Sequence, residues 1–298
     1  MTVQRKGVSF TLWAVLLAVG LLSILPFVWI VIGSFKPHLE IQKGNLWPWQ
    51  SYEVQKPPAE PGGQPVKTTE RVSLRNYKEI FTKLSGLPTY YFNTLWLAGT
   101  GTFLALLVGA LAAYGFAHFR FLGNKLLFTL LLLTIMIPAE VTLIGRYELM
   151  FQLRLYDRIV GLLIAYVAGN LLLVIFIMRN VFVSIPRDLV DAALIDGAST
   201  WQVFWEVMVP IGRNGLAACA VLTFLNIWNE FLFALTFTSM SKVRTLPVGI
   251  MMLKSQFGTF ESGVLFATVL LSFLPIVIVF ILLQKYFVRG LSAGALKG

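Results

Sequence analysis

Few side chains in this sequence have the chemistry for catalysis or metal binding. Cys219 is the only cysteine, so a disulfide scaffold and a thiolate-based zinc or iron–sulfur site are both implausible. The two histidines, His38 and His118, are far apart in the chain and leave almost no material for a histidine-based metal site. No Gly-x4-Gly-Lys-Ser/Thr segment occurs, so we expect no phosphate-binding loop on this chain.

A carboxylate within an apolar stretch is the best single candidate for a functional side chain. Glu230 follows Asn226 and Asn229 in a strongly hydrophobic segment. An ionisable group at membrane depth is costly unless it is paired or faces water, so it marks a functional site by default. Two interpretations stay open. In the first, the three residues line a translocation path. In the second, Glu230 is a hydrogen-bonding clamp between neighbouring helices, or it lies close enough to the outer surface to contact water. The absence of a second acid, histidine or lysine at matching depth counts against a proton-coupled carrier.

The composition identifies the class of protein. Of 298 residues, 57% are hydrophobic and 13% are charged, whereas soluble domains are about half apolar and about a quarter charged. The formal charge is +10, but the basic residues lie between apolar runs rather than on one wet face, which argues against nucleic-acid binding. We therefore expect an integral membrane protein in a lipid bilayer.

Six windows approach the length of about 20 mostly apolar residues that a transmembrane helix needs. The predicted spans are Phe10–Ile32, Phe92–Phe116, Leu126–Ile144, Ile159–Met178, Leu216–Phe237 and Val264–Leu283. The first is too long for a cleaved signal peptide, so we expect a retained anchor. Short loops on the side of the N-terminus carry more lysine and arginine, which favours cytoplasmic N- and C-termini.

The spans divide the chain into four segments. These are an anchor helix at 1–33, an extracytoplasmic loop at 34–88, a core of five spans at 89–290 and a tail at 291–298. Prolines and glycines between Pro48 and Pro65 predict an extended, turn-rich first half of the loop.

The second half of that loop predicts a short amphipathic helix. Its apolar residues at helical spacing are Leu74, Tyr77, Phe81 and Leu84. The helix lies either on the outer membrane surface or against the ends of the chain's own spans.

Two features of the spans predict how they pack. A ladder of small residues in the second span indicates a close approach of another helix. The ladder consists of Gly101, Ala105, Gly109 and Ala113. Pro138 and Pro275 remove backbone donors and predict kinks in the third and last spans.

The longest inner loop, residues 184–214, predicts two short helices joined at a glycine. Pro186 favours the start of the first helix, and Gly197 is typical of the position just after a helix end. Ser199 and Gln202 fit a capping box at the start of the second helix.

The second of these helices, which we expect to end at Pro210, has an aromatic face. Its members are Trp201, Phe204, Trp205 and Met208. Such a face either enters a socket on another protein or packs beneath the protein's own spans. For Trp201 and Trp205 we expect the second arrangement.

The same loop resembles a known signature. Asp191-Ala192-Ala193, Gly197 and Val207-Met208-Val209-Pro210 are similar to the Glu-Ala-Ala-x3-Gly-x9-Ile-x-Leu-Pro motif of ABC importer permeases, with identical spacing. Asp191, Val207 and Val209 are related substitutions. Trp228-Asn229 and the run from Phe287 to Gly298 also resemble sugar permeases. The resemblance covers nearly the whole chain, and its closest class is the maltose-permease type of carbohydrate importer.

This resemblance implies an all-α membrane protein with about six transmembrane helices and a cytoplasmic coupling helix, the type I importer permease fold. It implies a sister permease, two ATP-binding subunits that hold ATP and Mg²⁺, an extracytoplasmic solute-binding protein and a sugar or oligosaccharide substrate. The chain itself would then be no enzyme and would lie in the cytoplasmic membrane of a bacterium or archaeon.

The resemblance also implies roles for individual residues. The ATPase-coupling residues would be Asp191, Ala192, Ala193, Asp196, Gly197 and Pro210, with Asp191 in place of a glutamate that pairs with an ATPase arginine. The contact with the binding protein would involve Val248, Met251 and Phe257. The tail Gly294–Gly298 is similar to tails that reach toward the ATPase interface.

Three other classes of protein stay open. An ion- or proton-coupled secondary transporter predicts paired intramembrane ionisable groups and internal repeats, and neither is visible. A membrane enzyme needs an acid, base or metal cluster, and the nearest candidates, Asp188, Asp191 and Asp196, do not share one helical face. A non-transporting scaffold is compatible with the sequence.

Overall fold

The structure is a computed structural model that describes residues 10–44, 51–56, 66–70, 72–83, 86–240, 242–257 and 262–295. Most of these residues are helical, which confirms the all-α fold class. The helices are α1 Phe10–Ser34, α2 His38–Gln42, α3 Arg75–Lys83, α4 Leu87–His118, α5 Asn124–Ile135, α6 Leu143–Gln152, α7 Ile159–Val183, α8 Arg187–Ile195, α9 Thr200–Gln202, α10 Val209–Ile211, α11 Arg213–Trp228, α12 Leu232–Phe237, α13 Leu246–Phe257 and α14 Ser262–Ala295.

The chain forms two compact units. One contains residues 1–85 and 250–273, and the other contains residues 86–249 and 274–298. The division at residues 33, 88 and 290 that the sequence suggests remains a prediction.

The described residues contain four to six candidate membrane spans, against six predicted. Within the described residues, α1, α4, α7 and α14 are each long and apolar enough to cross a membrane. Two bent pairs of helices pass the same test together, which gives six spans if each pair counts as one.

In the first unit, α3 packs on the end of α1. The amide Nδ2 of Asn76 donates to the carbonyl oxygens of Ser34 and Lys36, both at 2.8 Å. The hydroxyls of Ser34 and Tyr77 are 2.9 Å apart. These bonds satisfy carbonyl groups that the end of α1 leaves without helical partners. Of the two placements expected for this helix, the structure has the one against the chain's own span.

The predicted apolar face of α3 is wrong at two positions. Leu74 and Phe81 are exposed, whereas Asn76, Glu79 and Ile80 are buried. Hydrogen bonds to the end of α1, rather than the apolar spacing, determine which side packs. Leu84 lies outside the described residues.

The outer loop also contains a β-hairpin. Strands β1 Tyr52–Lys56 and β2 Val66–Glu70 pair antiparallel, with Tyr52 opposite Glu70. This regular pairing is more ordered than the extended, turn-rich segment that the sequence predicts. Pro48 and the prolines and glycines between the strands lie outside the described residues.

In the second unit, the predicted ladder of small residues lies where helices approach closely. A Cβ atom added at Gly109 would be 2.6 Å from Cγ1 of Val174 on α7. One added at Gly101 would be 2.8 Å from Cδ1 of Ile227 on α11. The close packing of the second span is therefore confirmed.

The third predicted span is not a single helix. Helix α5 ends at Ile135, and a 3₁₀ turn at Ala139–Thr142 leads into α6 with a bend of 95°. Pro138 lies in this break. The helix stops there because proline has no backbone N–H with which to continue it. The kink predicted at Pro138 is thus a complete break, whereas α14 runs through Pro275 as one helix.

The fifth predicted span is also interrupted. Helix α11 ends at Trp228, and the short helix α12 begins only at Leu232. Glu230 therefore lies in a break between two helices and not within one.

We predict that Gly109→Ala destabilises the protein while Gly99→Ala on the same helix does not. The first change places a methyl group against Val174, and such overpacking costs about 1–3 kcal/mol. A Cβ at Gly99 meets nothing within 4 Å. Thermal unfolding of the purified protein in detergent should show a lower Tm for Gly109→Ala alone, and equal Tm values for the two variants would contradict this packing.

Candidate functional site

The candidate coupling segment, residues 186–211, is called the elbow below. Its first arm, α8, begins after Pro186 and ends at Ile195, with Asp196 as its C-cap, and Gly197 follows with a φ of +88°. The N–H of Gly197 donates to the carbonyl of Leu194 at 3.1 Å, and that of Ala198 donates to the carbonyl of Ala193 at 3.0 Å. These two bonds form a Schellman motif, which satisfies the carbonyls at the helix end.

The second arm begins with the predicted capping box. The N–H of Gln202 donates to Oγ of Ser199 at 3.3 Å, and the N–H of Ser199 donates to Oε1 of Gln202 at 2.8 Å. The arm runs to Ile211, one residue beyond Pro210, and meets α11 at Gly212 with a bend of 77°. The predicted end at Pro210 is therefore one residue early.

The middle of the second arm, Val203–Met208, is a π-helical turn. Its wider turn directly precedes Pro210, whose ring would clash with the carbonyl of Glu206 in a regular α-helix. The wider turn also changes which side chains share a face, because a π-helix has more residues per turn than the spacing assumed in the sequence.

One side of the elbow packs on the chain's own helices. The ring of Phe204 lies 5.4 Å from that of Tyr114 on α4, and the hydroxyl of Tyr114 donates to the carbonyl of Thr200 at 3.4 Å. The buried cluster that joins the elbow to α4 and α7 includes Ala113, Tyr114, Met178, Phe182, Val190, Val203, Phe204 and Met208. This cluster holds the elbow firmly against two spans.

The other side of the elbow is exposed. Trp201 and Trp205 are 57% and 41% exposed, so the expectation that they pack beneath the spans is wrong. Phe204 and Met208, for which both arrangements stayed open, are buried, and so is Val203 in the same π turn. Ile195, at the corner, is 85% exposed.

The residues that the signature singles out lie mostly on open surface. Asp191, Ala192, Asp196, Gly197 and Pro210 are exposed, and Ala193 is half-buried. A Cβ added at Gly197 would meet nothing within 4 Å.

Glu230 is held by hydrogen bonds within the chain. The hydroxyl of Tyr166 donates to Oε2 at 2.7 Å, and the N–H groups of Phe233 and Ala234 donate to Oε1 and Oε2 at 2.7 and 3.1 Å. Glu230 therefore satisfies the first N–H groups of α12 and ties this break to α7. Of the two interpretations of Glu230, these bonds match the hydrogen-bonding clamp. The same carboxylate also lines a cavity.

Asn226 and Asn229 have different surroundings. The Nδ2 of Asn226 donates to Oδ1 of the buried Asn170 at 2.9 Å, and both residues line the same cavity as Glu230. Asn229 is exposed, donates to the carbonyl of Leu225 at 2.8 Å, and does not line that cavity.

The cavity has a volume of about 510 Å³ and contains two charged residues that sequence reasoning missed. Glu140 and Arg146 line it, and the guanidinium carbon of Arg146 lies 5.0 Å from the centre of the Phe233 ring. The 95° break after α5 brings both residues beside Glu230. The signal available in the sequence was Pro138, which is followed two residues later by the charged Glu140 within a predicted span.

The loop after α12 is fixed by a side chain from the loop before α7 and by one from α4. The carboxylate of Asp157 accepts from the N–H groups of Ser239 and Met240 at 2.9 and 3.0 Å. The Nδ2 of Asn93 donates to the carbonyls of Lys242 and Arg244 at 2.8 and 2.9 Å. This loop leads directly into α13.

The proposed contacts on α13 differ in exposure. Val248 is 1% exposed, so its side chain presents no surface to a partner, whereas Met251 is 58% exposed. The side chain of Phe257 lies outside the described residues, as does the end of the tail at 296–298.

Comparisons with known proteins identify the family. Residues 105–293 match the model of the binding-protein-dependent transport system inner membrane component. The chain belongs to this family. It is 30% identical to the trehalose/maltose transport system permease protein MalG of Thermococcus litoralis, over 98% of each chain. It is 27% identical to the arabinooligosaccharides transport system permease protein AraQ of Halalkalibacterium halodurans, over 99% of this chain and 100% of the relative.

The fold also matches a solved structure. A bacterial ABC transporter involved in the import of the acidic polysaccharide alginate has a TM-score of 0.73 at 22% identity, with 96% of this chain and 99% of that chain covered. The resemblance to ABC importer permeases is confirmed. The protein is a multi-pass permease subunit of the inner membrane, a non-catalytic component rather than an enzyme. These relatives give no support to a secondary transporter.

We predict that Gly197→Ala loosens the elbow, whereas Gly115→Ala in α4 does not. An alanine at a φ of +88° is strained by about 1–2 kcal/mol, which weakens the Schellman bonds. A Cβ at Gly115 meets nothing within 4 Å. In the Gly197→Ala variant, hydrogen exchange should be faster at the backbone amides of residues 197 and 198. Unchanged protection of these two amides would argue against the strain.

The loop held by Asp157 should loosen only in strong acid. Partial burial raises the pKa of Asp157, but hydrogen bonds from Met240 and Ser239 and the charge of Arg244 together lower it below its ordinary value of 3.8. Because the folded pKa is the lower one, the carboxylate stabilises the loop above pH 3.8 and loses that effect as the pH falls through the folded pKa.

Hydrogen exchange at Ser239 and Met240, corrected for the intrinsic rate, measures this effect. Protection should persist at pH 3.8 and fall below it. Asp157→Asn should weaken protection at neutral pH and abolish the acid step, so an identical pH profile in both proteins would rule out this carboxylate.

Proposed function

We propose that this chain is a sugar permease of an ATP-driven importer and that the elbow transmits the movement of an ATP-hydrolysing subunit to the spans. Its relatives are named as permeases for arabinooligosaccharides and for trehalose or maltose, which supports a saccharide substrate. The complete importer would contain a sister permease, two ATP-binding subunits with ATP and Mg²⁺, and an extracytoplasmic solute-binding protein.

The proposed setting is the cytoplasmic membrane of a bacterium or archaeon. The excess of basic residues in the loops on the side of the N-terminus favours cytoplasmic N- and C-termini. The elbow then lies on the cytoplasmic side, and the loop held by Asp157 and Asn93 lies outside.

The observation that carries the proposal is the two-sided elbow. Its buried side is close-packed against α4 and α7, so a displacement of the elbow moves these helices with it rather than deforming the contact. Its exposed side offers Ile195, Trp201 and Trp205, the apolar and aromatic side chains that supply binding energy in protein interfaces.

The small residues of the signature have a clear role in this arrangement. Ala192 and Gly197 are exposed and leave room for the surface of a partner, since nothing lies within 4 Å of a Cβ added at Gly197. Asp191 and Asp196 are exposed carboxylates that would pair with basic groups of the ATPase, while Ala193 and Pro210 shape the two arms.

ATP binding would draw the two ATPase subunits together and open the permease outward, and hydrolysis would return it. The elbow is thus a lever between two states that the partners bias. On the outer side, Met251 and Phe257 remain the proposed contacts with the solute-binding protein. Asn226, Glu230 and Asn229 remain the proposed substrate path.

The elbow is tested with Ile195→Asp in the purified transporter. A charge at this exposed corner leaves the fold intact but opposes burial against a partner, so we expect at least about tenfold less ATPase subunit to co-purify. Sugar uptake into proteoliposomes should fall in parallel.

Leu153→Asp is the matched control. Leu153 is also an exposed apolar residue, but it lies near the other end of α7, away from the elbow. The ATPase subunit should co-purify normally with the Leu153→Asp variant. If it also co-purified normally with the Ile195→Asp variant, the lever would be refuted.

A further inference from the structure

We propose that the cavity beside Glu230 is a subsite for the hydroxyl groups of a neutral sugar, built by this chain itself. The inference rests on the proposed function and adds the chemistry of the substrate. The cavity of about 510 Å³ lies in the range of small-molecule sites, about 300–1,000 Å³. Like them it combines mainly apolar walls with a few polar groups.

Arg146 supplies the hydrogen-bond donors. Its guanidinium lies over the ring of Phe233, and it makes no ion pair with any described residue, although Glu140 and Glu230 line the same cavity. A guanidinium carries five N–H donors in a fixed plane. Stacking on Phe233 holds that plane in place beside the cavity, so these donors are available to a ligand.

Asn226 supplies an acceptor in a fixed orientation. Its Nδ2 donates to Oδ1 of Asn170, whose own Nδ2 donates to the carbonyl of Tyr166 at 2.8 Å. This chain of bonds sets which way the amide of Asn226 points, and its Oδ1 remains free to accept.

Glu230 shapes the subsite without being its main ligand. Both of its oxygens already accept bonds from Tyr166 and from the N–H groups at the start of α12. Its charge nevertheless faces the cavity, together with that of Glu140.

The charges select for a neutral ligand. A hydroxyl both donates and accepts, so a polyhydroxy compound satisfies the guanidinium and the oxygen acceptors at once. An acidic sugar would meet two carboxylates and one guanidinium, and specificity of this kind arises from repulsion as much as attraction. The alginate importer with the same fold is described as taking an acidic polysaccharide, and this cavity predicts the opposite preference.

The test uses the assembled transporter in lipid nanodiscs without its solute-binding protein. Saturation-transfer NMR with maltotriose and trigalacturonate as probes reports direct contact with the permease. We expect maltotriose to bind at least about tenfold more tightly than trigalacturonate. Arg146→Lys should weaken maltotriose binding about tenfold, the loss typical of a hydrogen bond to a charged group, and Asn226→Ala should weaken it by about three- to tenfold, as for a neutral hydrogen bond.

Two further variants sharpen the result. Asn180→Ala, an exposed asparagine on α7 away from the cavity, should bind maltotriose like the unmodified chain. Glu140→Gln should strengthen trigalacturonate binding, because it removes one repelling charge. No maltotriose signal, equal binding of the two probes, or unchanged binding in both cavity variants would overturn the subsite.

ATP-driven sugar uptake, measured on the same preparations with the solute-binding protein added, separates the two proposals. Uptake that persists while the cavity shows no sugar contact overturns the subsite alone. A transporter with no ATP-driven uptake overturns the proposed function.

Discussion

Lipid offers no hydrogen-bond partners, so backbone groups released where a helix breaks near or within the membrane must be satisfied by the protein. Glu230 accepts from two N–H groups at the start of α12, and Asn76 donates to two carbonyls at the end of α1. The hydroxyl of Thr94 accepts from the N–H of Leu246 at 2.7 Å where α13 begins. At each of these three positions one polar side chain satisfies backbone groups where the chain turns.

At the corner of the elbow, both helix ends are capped by local bonds. The Schellman motif at Gly197 and the capping box at Ser199 satisfy both helix ends at the corner within ten residues, 193–202. Neither cap uses a side chain from another helix, and the bond that Tyr114 of α4 donates to the carbonyl of Thr200 lies on the packed side of the elbow. The exposed side of the elbow is therefore free for a partner, while its apolar side remains packed on α4 and α7.

This contrast explains how much the sequence could predict. The elbow was predictable in outline because its caps depend on residues three to five positions apart, and the spans were predictable from their length and apolar composition. The π turn at Val203–Met208 was not predictable, nor was the exposure of Trp201 and Trp205. The charged residues around Glu230 were not predictable either. Glu140 and Arg146 reach its cavity only through a 95° bend, and the size of that bend depends on tertiary packing.

The elbow and the cavity are joined by the helices on either side of the elbow. Helix α7 carries Tyr166 at the cavity and Phe182 in the elbow's buried cluster, about 24 Å apart at 1.5 Å per residue. Helix α11 begins directly after the elbow and carries Asn226 near its far end. A displacement of the elbow therefore reaches two walls of the cavity through continuous helices. In the proposed importer no further relay is required, because a rigid helix that carries residues of both sites moves them together.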